Sequence, residues 1–265
     1  MIQLAVFDID RTLVSADTQS VAPETIEALK QLYSNGIRTA IATGRQWQQL
    51  PGMLKALDFD YYILLNGTNI ADSAGNILWY TGLDPADARS LTEIFEEKGR
   101  SLYLRFVKGM YPVLLRDREI PFGMARETVP EELLNGLLME SPLEQGESPM
   151  AALGHIPEEE ENWFRQKYPD MDFLQIYGGK NCDIMPKGIS KATGLTQICS
   201  LLRIPVTETI AFGDDINDLE IIRQAGIGVA MGDALAEVKA VADYVTGTCE
   251  ELGVVMGLKH FGLIE

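Results

Sequence analysis

Ile2-Gln3-Leu4-Ala5-Val6-Phe7-Asp8-Ile9-Asp10-Arg11-Thr12 reads as an apolar run that stops at two carboxylates. Ile2, Leu4, Ala5, Val6 and Phe7 form a near-continuous hydrophobic segment, the composition of a strand buried on both faces of a parallel sheet. Asp8 then stands at the strand's carboxyl end, where open α/β sheets place their ligands. Asp10 follows with the same side-chain parity if the chain stays extended. Two carboxylates this close repel each other unless a cation or a shared proton intervenes. A Mg²⁺ ion, which prefers oxygen ligands, resolves that repulsion. The competing reading is a surface Asp pair that caps the next turn, and the rest of the chain weighs against it.

Outward from this strand the elements alternate. Pro23 sits early in a helix, where its missing N–H is harmless, with Ile26, Leu29, Leu32 and Tyr33 as the apolar stripe and Gly36 closing it. Ile37 to Ala42 reads as a second strand ending in Thr43-Gly44-Arg45, followed by a helix-like stretch interrupted at Pro51. Tyr61 to Leu65 reads as a third strand ending in Asn66-Gly67, and Asn69–Ala71 with Ile77–Tyr80 as a hairpin. This β-α-β-α-β order predicts a doubly wound, Rossmann-like parallel sheet.

From about Gly82 the pattern changes. Asp84 is a good N-cap for a helix through Lys98. Strands are expected over 101–107, 110–115, 149–155, 171–177 and 181–185, with helices over 130–139 and 158–168 and a tight turn at Gly178-Gly179. This block is α+β and reads as an inserted domain spanning 82–185, between core segments 1–81 and 186–265. The alternation resumes with a helix from Gly188 to about Leu202. A strand over 209–212 then stops at Gly213-Asp214-Asp215-Ile216-Asn217-Asp218. Further on, Leu219–Gln224 and Ala234–Ala240 read as helices, Gly226–Ala230 and Asp243–Thr246 as strands, and Thr248-x-x-Glu251 as a capping box opening a C-terminal helix.

Composition narrows the function. The chain has 265 residues, 46% of them hydrophobic, enough for a sizeable core. Its net charge of −17 disfavours nucleic-acid and anionic-membrane partners, and any phosphate site needs its own local cations. Cys182, Cys199 and Cys249 form no CxxC pair and read as reduced thiols of a cytoplasmic protein. His155 and His260 neighbour no other candidate catalytic residue, so a His-based triad or zinc site has little support. The chain starts directly with a core strand, which argues against a signal peptide, and no apolar run approaches the ~18 residues of a membrane span. Nothing in the sequence assigns an oligomeric state.

Three strand ends carry polar groups: Asp8 with Asp10, Thr43, and the Asp214–Asp218 cluster. If those strands are parallel neighbours, the groups gather on one rim. With Phe7-Asp-Ile-Asp-Arg-Thr12, Ala42-Thr-Gly-Arg45, Asn66-Gly67, Lys187-Gly-Ile-Ser-Lys191, Gly213-Asp-Asp-Ile-Asn-Asp218 and Ala230-Met-Gly232, the chain resembles the haloacid dehalogenase-like (HAD) superfamily of phosphohydrolases. It is closest to the Cof-type branch, whose C2-type (IIB) cap is inserted between the second and third motifs.

That resemblance implies a Mg²⁺-dependent phosphatase acting on small phosphorylated metabolites, with sugar phosphates expected. Asp8 would be the nucleophile that forms an aspartyl-phosphate. Asp10 would be the general acid and then base. Thr43 and Lys191 would complete the catalytic set, and Gly44, Arg45 and Asn217 would join Thr43 and Lys191 around the phosphate. Asp8, Asp10 through its backbone carbonyl, and Asp214 would hold the metal. Asp218 would orient Lys191 or the metal's waters. Two departures stand out: Arg11 where the family commonly has Gly, and Asp233 where Asn is common.

Plainer readings compete. Thr43-Gly44 is also an ordinary strand-to-helix turn, and Arg45 reaches the substrate or a nearby carboxylate with equal weight. Lys187 and Lys191 are nearly level on the residues alone, and the resemblance prefers Lys191. One of Asp214, Asp215 and Asp218, Asp215 first, reads as a cap. Tyr103, Arg105, Tyr111 and Tyr177 are candidate substrate selectors or plain strand packing. A phosphomutase on hexose phosphates and a non-catalytic metabolite-binding regulator are the alternative functions.

Overall fold

The computed structural model describes residues 1–113, 137–176 and 181–265. The chain divides into two compact units, Met1–Gly44 with Gly52–Trp79 and Ser190–Glu265, and Arg45–Pro51 with Tyr80–Ile189.

The first unit is built on an eight-stranded sheet. Its strands are β1 (Leu4–Phe7), β2 (Arg38–Ala42), β3 (Tyr61–Leu64), β4 (Asn69–Asp72), β5 (Ile77–Tyr80), β11 (Thr209–Gly213), β12 (Ile227–Ala230) and β13 (Tyr244–Val245). Their order is β13-β12-β11-β1-β2-β3-β4-β5, and β13 through β3 pair in parallel. The apolar run at the start of the chain lies near the middle, with all four residues of β1 buried, as a two-sided burial pattern requires. Phe7 stacks on Phe212 of the neighbouring strand with ring centroids 5.2 Å apart. The helix Pro23–Ser34 buries Thr25, Ala28, Leu29 and Leu32. Tyr33, read above as part of its stripe, is 77% exposed, because the buried face continues from 25 through 28/29 to 32 and leaves 33 one step outside.

One local expectation holds in part and one is corrected. After β2 the helix-like stretch is interrupted at Pro51 as expected, but it is a 3₁₀ turn at Trp47–Gln49 before the break and only a one-turn helix at Gly52–Lys55 after it. At the C-terminus the reciprocal bonds of the capping box are made, Thr248 N to Glu251 Oε2 at 3.0 Å and Glu251 N to Thr248 Oγ1 at 3.2 Å. They close a turn, however, and the helix itself starts at Gly253 after Leu252 adopts φ 62°.

The turn that follows β3 seats the helix Lys191–Leu202. Leu65, Asn66 and Gly67 all have positive φ, 49°, 53° and 102°. A Cβ on Gly67 would lie 2.1 Å from the Ser190 carbonyl oxygen, the residue that caps that helix. Gly67→Ala therefore adds a backbone clash to an unfavourable φ. It is expected to lower unfolding free energy by about 3 kcal/mol and to reduce turnover by displacing Lys191. Chemical denaturation alongside kcat checks both, and a loss of under about 0.5 kcal/mol would contradict the packing argument.

The second unit holds a five-stranded antiparallel sheet of order β7-β6-β8-β10-β9. The strands are β6 (Leu102–Phe106), β7 (Gly109–Pro112), β8 (Ala151–Gly154), β9 (Met171–Ile176) and β10 (Asn181–Pro186). Leu102, Leu104, Phe106, Ala152, Phe173, Cys182 and Ile184 form one face of it. They pack with Leu91 and Phe95 of the helix Pro85–Glu97 and Phe164 of the helix Glu158–Lys167. Asp84 caps the first of these helices, accepting from Ala86 N at 2.8 Å and Asp87 N at 3.2 Å. The strand expected over 110–115 ends at Pro112, with Val113 already in a bend, and its positions 114–115, most of the helix expected over 130–139, Tyr177 and the Gly178-Gly179 turn lie outside the described residues. The last part of that expected helix, 137–139, is not helical; Leu137 bridges to Met110 of β7 instead. Among the described residues no helix is long and apolar enough to cross a membrane.

Candidate active site

Three parallel strands build the site. Phe7 of β1 stands opposite both Ile41 of β2 and Phe212 of β11. The residues that follow these strands, Asp8, Thr43 and Asp214, therefore leave the sheet at one edge, its carboxyl end. Asp8 N donates to Phe212 O at 3.0 Å and carries the ladder one residue further. Thr43 is buried, its N donates to Ile63 O at 2.9 Å, and its carbonyl accepts from Asn66 N at 2.9 Å. The turn after β3 is thus tied to the end of β2. Asn66 Oδ1 accepts from Asn217 Nδ2 at 3.1 Å, and a Cβ on Gly44 would lie 3.3 Å from the same oxygen.

The Gly213–Asp218 segment turns back on itself. Asp215 caps the short 3₁₀ turn Ile216–Asp218, accepting from Ile216 N at 2.7 Å. Asp218 Oδ2 accepts from Asp214 N at 3.1 Å and Asp215 N at 3.2 Å. Gly213 makes room for this, since a Cβ there would lie 2.4 Å from Asp218 Cγ.

Lys191 is the first residue of its helix and has no exposed area. Its Nζ donates to Asp8 Oδ1 at 2.5 Å and to Asp218 Oδ1 at 2.7 Å. Burial disfavours a protonated lysine, and so does a helix N-terminus. The Asp218 and Asp8 carboxylates outweigh burial and push its pKa up, so it stays charged. Lys187 differs: it is exposed and pairs with Asp172 at 3.3 Å. The two lysines that the residues left level are separated by the fold.

Asp214 Oδ1 accepts from Thr12 Oγ1 at 3.2 Å, and its Oδ2 lies 3.6 Å from Arg11 Nη1. Burial, then repulsion from Asp218, pushes the Asp214 carboxyl up to about 7, with Arg11 and Lys191 pulling the other way. Burial also raises Asp8 well above the usual carboxylate range; Lys191 opposes this, while Asp218 and Asp214 add to it. The cluster is short of positive charge. Ligand oxygens of Asp8, Asp214 and Asp218 lie within 4.8 Å of one another. With all three carboxyls ionised, three carboxylates against one ammonium leave two negative charges, which a divalent cation neutralises, and hard carboxylate oxygens suit Mg²⁺. The donor set fits that ion.

Other sequence-selected residues fall as follows. Asp10 is exposed and forms a bridge with Val14 in the loop after β1. Arg45 belongs to the second unit, where its Nη1 donates to Gln49 O at 3.5 Å. In β6, Tyr103 packs with Met110 and Leu153, and Arg105 is buried in an ion pair with Asp183 at 3.1 Å. Tyr111 packs against the second unit's core.

Asp218, which the resemblance set beside Lys191 or the metal's waters, accepts from Lys191 and stands with Asp8 and Asp214 as a third carboxylate. Sequence reasoning missed one feature. Arg11 and Asp233, the two departures noted separately above, are partners: Arg11 Nη2 and Nε donate to Asp233 Oδ2 at 2.6 and 3.2 Å, and Nη2 also donates to Asp233 O at 3.1 Å. Arg11 has φ 63°, a backbone conformation that suits glycine and costs a non-glycine residue about 1 kcal/mol. Opposite charges at two departures from one pattern were the available signal.

A carboxylate rim with one buried lysine, on an open parallel sheet, is equipment for metal-assisted phosphoryl chemistry. The chain belongs to the haloacid dehalogenase-like hydrolase family, whose model matches residues 5–258. It is 30% identical over 278 residues to the HMP-PP phosphatase of Serratia proteamaculans, covering 98% of this chain and 96% of that protein. It is 25% identical over 268 residues to the 5-amino-6-(5-phospho-D-ribitylamino)uracil phosphatase of Bacillus subtilis, covering 99% and 96%. Among solved structures it resembles the HAD subclass IIB sugar phosphatase BT4131, with TM-score 0.84 and 29% identity over 99% of this chain and 100% of that one. It also resembles the HAD phosphatase BT1666 of Bacteroides thetaiotaomicron, with TM-score 0.85 and 29% identity over 100% and 96%. The chain is a phosphatase of this family, which sets aside the reading as a non-catalytic regulator.

Proposed function

We propose that this phosphatase is Mg²⁺-dependent, works through an aspartyl-phosphate on Asp8, and takes sugar phosphates. The observation that carries the reading is the buried Lys191 bridging Asp8 and Asp218 beside Asp214, a cluster two charges short of neutrality. Bound there by Asp8, the Asp10 carbonyl and Asp214, the cation supplies charge neutralisation for nucleophile and phosphate together.

The chain's own residues do the rest in this reading. An Asp8 oxygen attacks phosphorus, and the bond from phosphorus to the ester oxygen breaks as the new one forms. Asp10 gives its proton to the departing oxygen, so the alcohol leaves neutral. In the second half Asp10 takes a proton from water, whose oxygen attacks phosphorus and releases Asp8 with inorganic phosphate. Lys191 holds Asp8 in place and balances charge on the phosphoryl oxygens. The Thr43 hydroxyl, with Gly44 and Asn217, holds the phosphate. The unit of 45–51 and 80–189 is read as the cap that selects the leaving group, with the part-buried Tyr111 as the first residue to test, since Tyr103 and Arg105 are buried in that unit's own packing. Three cysteines without disulfide partners are in keeping with a cytoplasmic enzyme.

The test is phosphate release from sugar phosphates, nucleoside monophosphates and phosphorylated pyrimidines, with Mg²⁺ and with chelator. Turnover fastest on sugar phosphates and lost with chelator is the expected result. Turnover that persists in chelator overturns the metal requirement, and a best substrate of another class overturns the sugar assignment. Consumption of a hexose phosphate without phosphate release points to the mutase.

A further inference from the structure

We propose that the Arg11–Asp233 pair sets the divalent-cation affinity of the Asp214 carboxylate, Arg11 weakening it and Asp233 restraining Arg11. The inference rests on the reading of Asp8 and Asp214 as metal ligands and goes beyond it to residues that are not ligands.

The geometry is specific. Asp214 Oδ1 is occupied by the Thr12 hydroxyl at 3.2 Å, so Oδ2 is the oxygen with no hydrogen bond from that side chain. Arg11 Nη1 lies 3.6 Å from Oδ2, too far for a hydrogen bond and close enough for a strong field. A cation held by Asp214 is thus bound beside a fixed positive charge. Arg11 is fixed because Asp233 grips it with three hydrogen bonds, two through one carboxylate oxygen and one through its backbone carbonyl. Asp233 also places a negative charge on the guanidinium, so the pair as a whole is nearly neutral towards the carboxylates. Asp215 is the further carboxylate that acts on Arg11.

The arrangement has a local cost. Arg11 keeps a positive φ that suits glycine, and the loop holds it there through Arg11 N donating to Val14 O at 2.9 Å. Both side chains are part-exposed, Arg11 at 45% and Asp233 at 34%, so solvent screens the pair and its effect on affinity is moderate. The two charges act in opposite directions, which makes the inference easy to read out. Removing Arg11 leaves Asp233 as an extra negative charge near the metal ligands. Removing the charge of Asp233 leaves Arg11 uncompensated.

The experiment is calorimetric titration of the full chain with Mg²⁺ and no substrate, with thermal unfolding in chelator as the check on folding. Arg11→Gly is expected to tighten Mg²⁺ about ten-fold and Asp233→Asn to weaken it about three-fold. The double variant should fall between them, and Arg11→Lys should stay near the parent. If Arg11→Gly does not fold, Arg11→Gln, which removes the charge and keeps the length, takes its place with the same expected tightening. Shifts of the same sign in the Arg11 and Asp233 variants, or both under about two-fold, overturn the inference. An Asp214→Asn arm separates the levels. If its titration matches the parent, the metal site itself is misassigned. If its titration is lost while the Arg11 and Asp233 variants are silent, only the role of the pair fails.

Discussion

Asp8→Asn should reduce metal-dependent phosphate release by at least ~10⁴-fold while leaving the fold intact. The amide nitrogen and carbonyl cannot replace a carboxylate as nucleophile, so the loss falls on kcat. Folding is spared for an electrostatic reason. Asp8 is a buried carboxyl in a cluster with excess negative charge, and burial already raises its pKa. A neutral amide of the same shape relieves that excess, while Lys191 keeps Asp218 as a partner at 2.7 Å. The thermal midpoint in chelator should therefore match or exceed that of the parent. Turnover surviving in a contaminant-free preparation would falsify the nucleophile assignment. A collapse of the fold would instead show that the Asp8–Lys191 pair is needed for stability.

Lys191→Met should damage both stability and activity. Methionine fills much the same space but removes the ammonium that bridges Asp8 and Asp218. Breaking a buried pair from one side leaves uncompensated charge and costs about 3–5 kcal/mol. Turnover should fall ~10³-fold, because the charge that balances the phosphoryl oxygens is gone. The stability loss should depend on pH in a defined direction. Burial raises Asp8 well above, and Asp214 to about 7 from, the ordinary carboxylate value near 3.8. A carboxyl whose pKa is raised by folding binds its proton more tightly in the native chain. Its contribution to stability is therefore lost as pH rises from about 4 through about 7. The Lys191→Met deficit in chelator should be largest near about pH 8 and shrink towards about pH 5. Denaturant unfolding at the two pH values, with kcat at the higher one, checks the prediction. A deficit independent of pH would mean that lost packing, and not charge, explains the damage.

Much of the architecture was readable because its signals are local. The apolar run of β1, the Pro23 helix start, the Asp84 cap and the strand over 209–212 each state their structure within a few residues. Expectations failed where a local signal met a tertiary constraint. The capping box at Thr248 formed its bonds and yet capped only a turn, because Leu252 reverses the backbone before the helix begins. Tyr33 has the apolar content of a core residue but points outward, since the sheet takes the face defined by Thr25, Ala28, Leu29 and Leu32.

For the site, the chain order alone determined that carboxylates and a threonine stand at strand ends, because a hydrophobic run that stops at a polar residue records where a buried strand leaves its sheet. It also determined that the chemistry needs a local cation, because the net charge is −17. It did not determine which lysine supplies one. Lys187 and Lys191 sit four positions apart with similar neighbours, and only the helix start after Ser190 turns Lys191 inward, to a carboxylate 183 positions away. Asp218 joins Asp8 and Asp214 only because Gly213 lets its side chain fold back, and Arg11 meets Asp233 across 222 positions. Such contacts follow from which strands are neighbours and where each loop points. Hydrophobic periodicity records burial along one element and is silent about the element beside it, so these partners became visible only once the sheet was assembled.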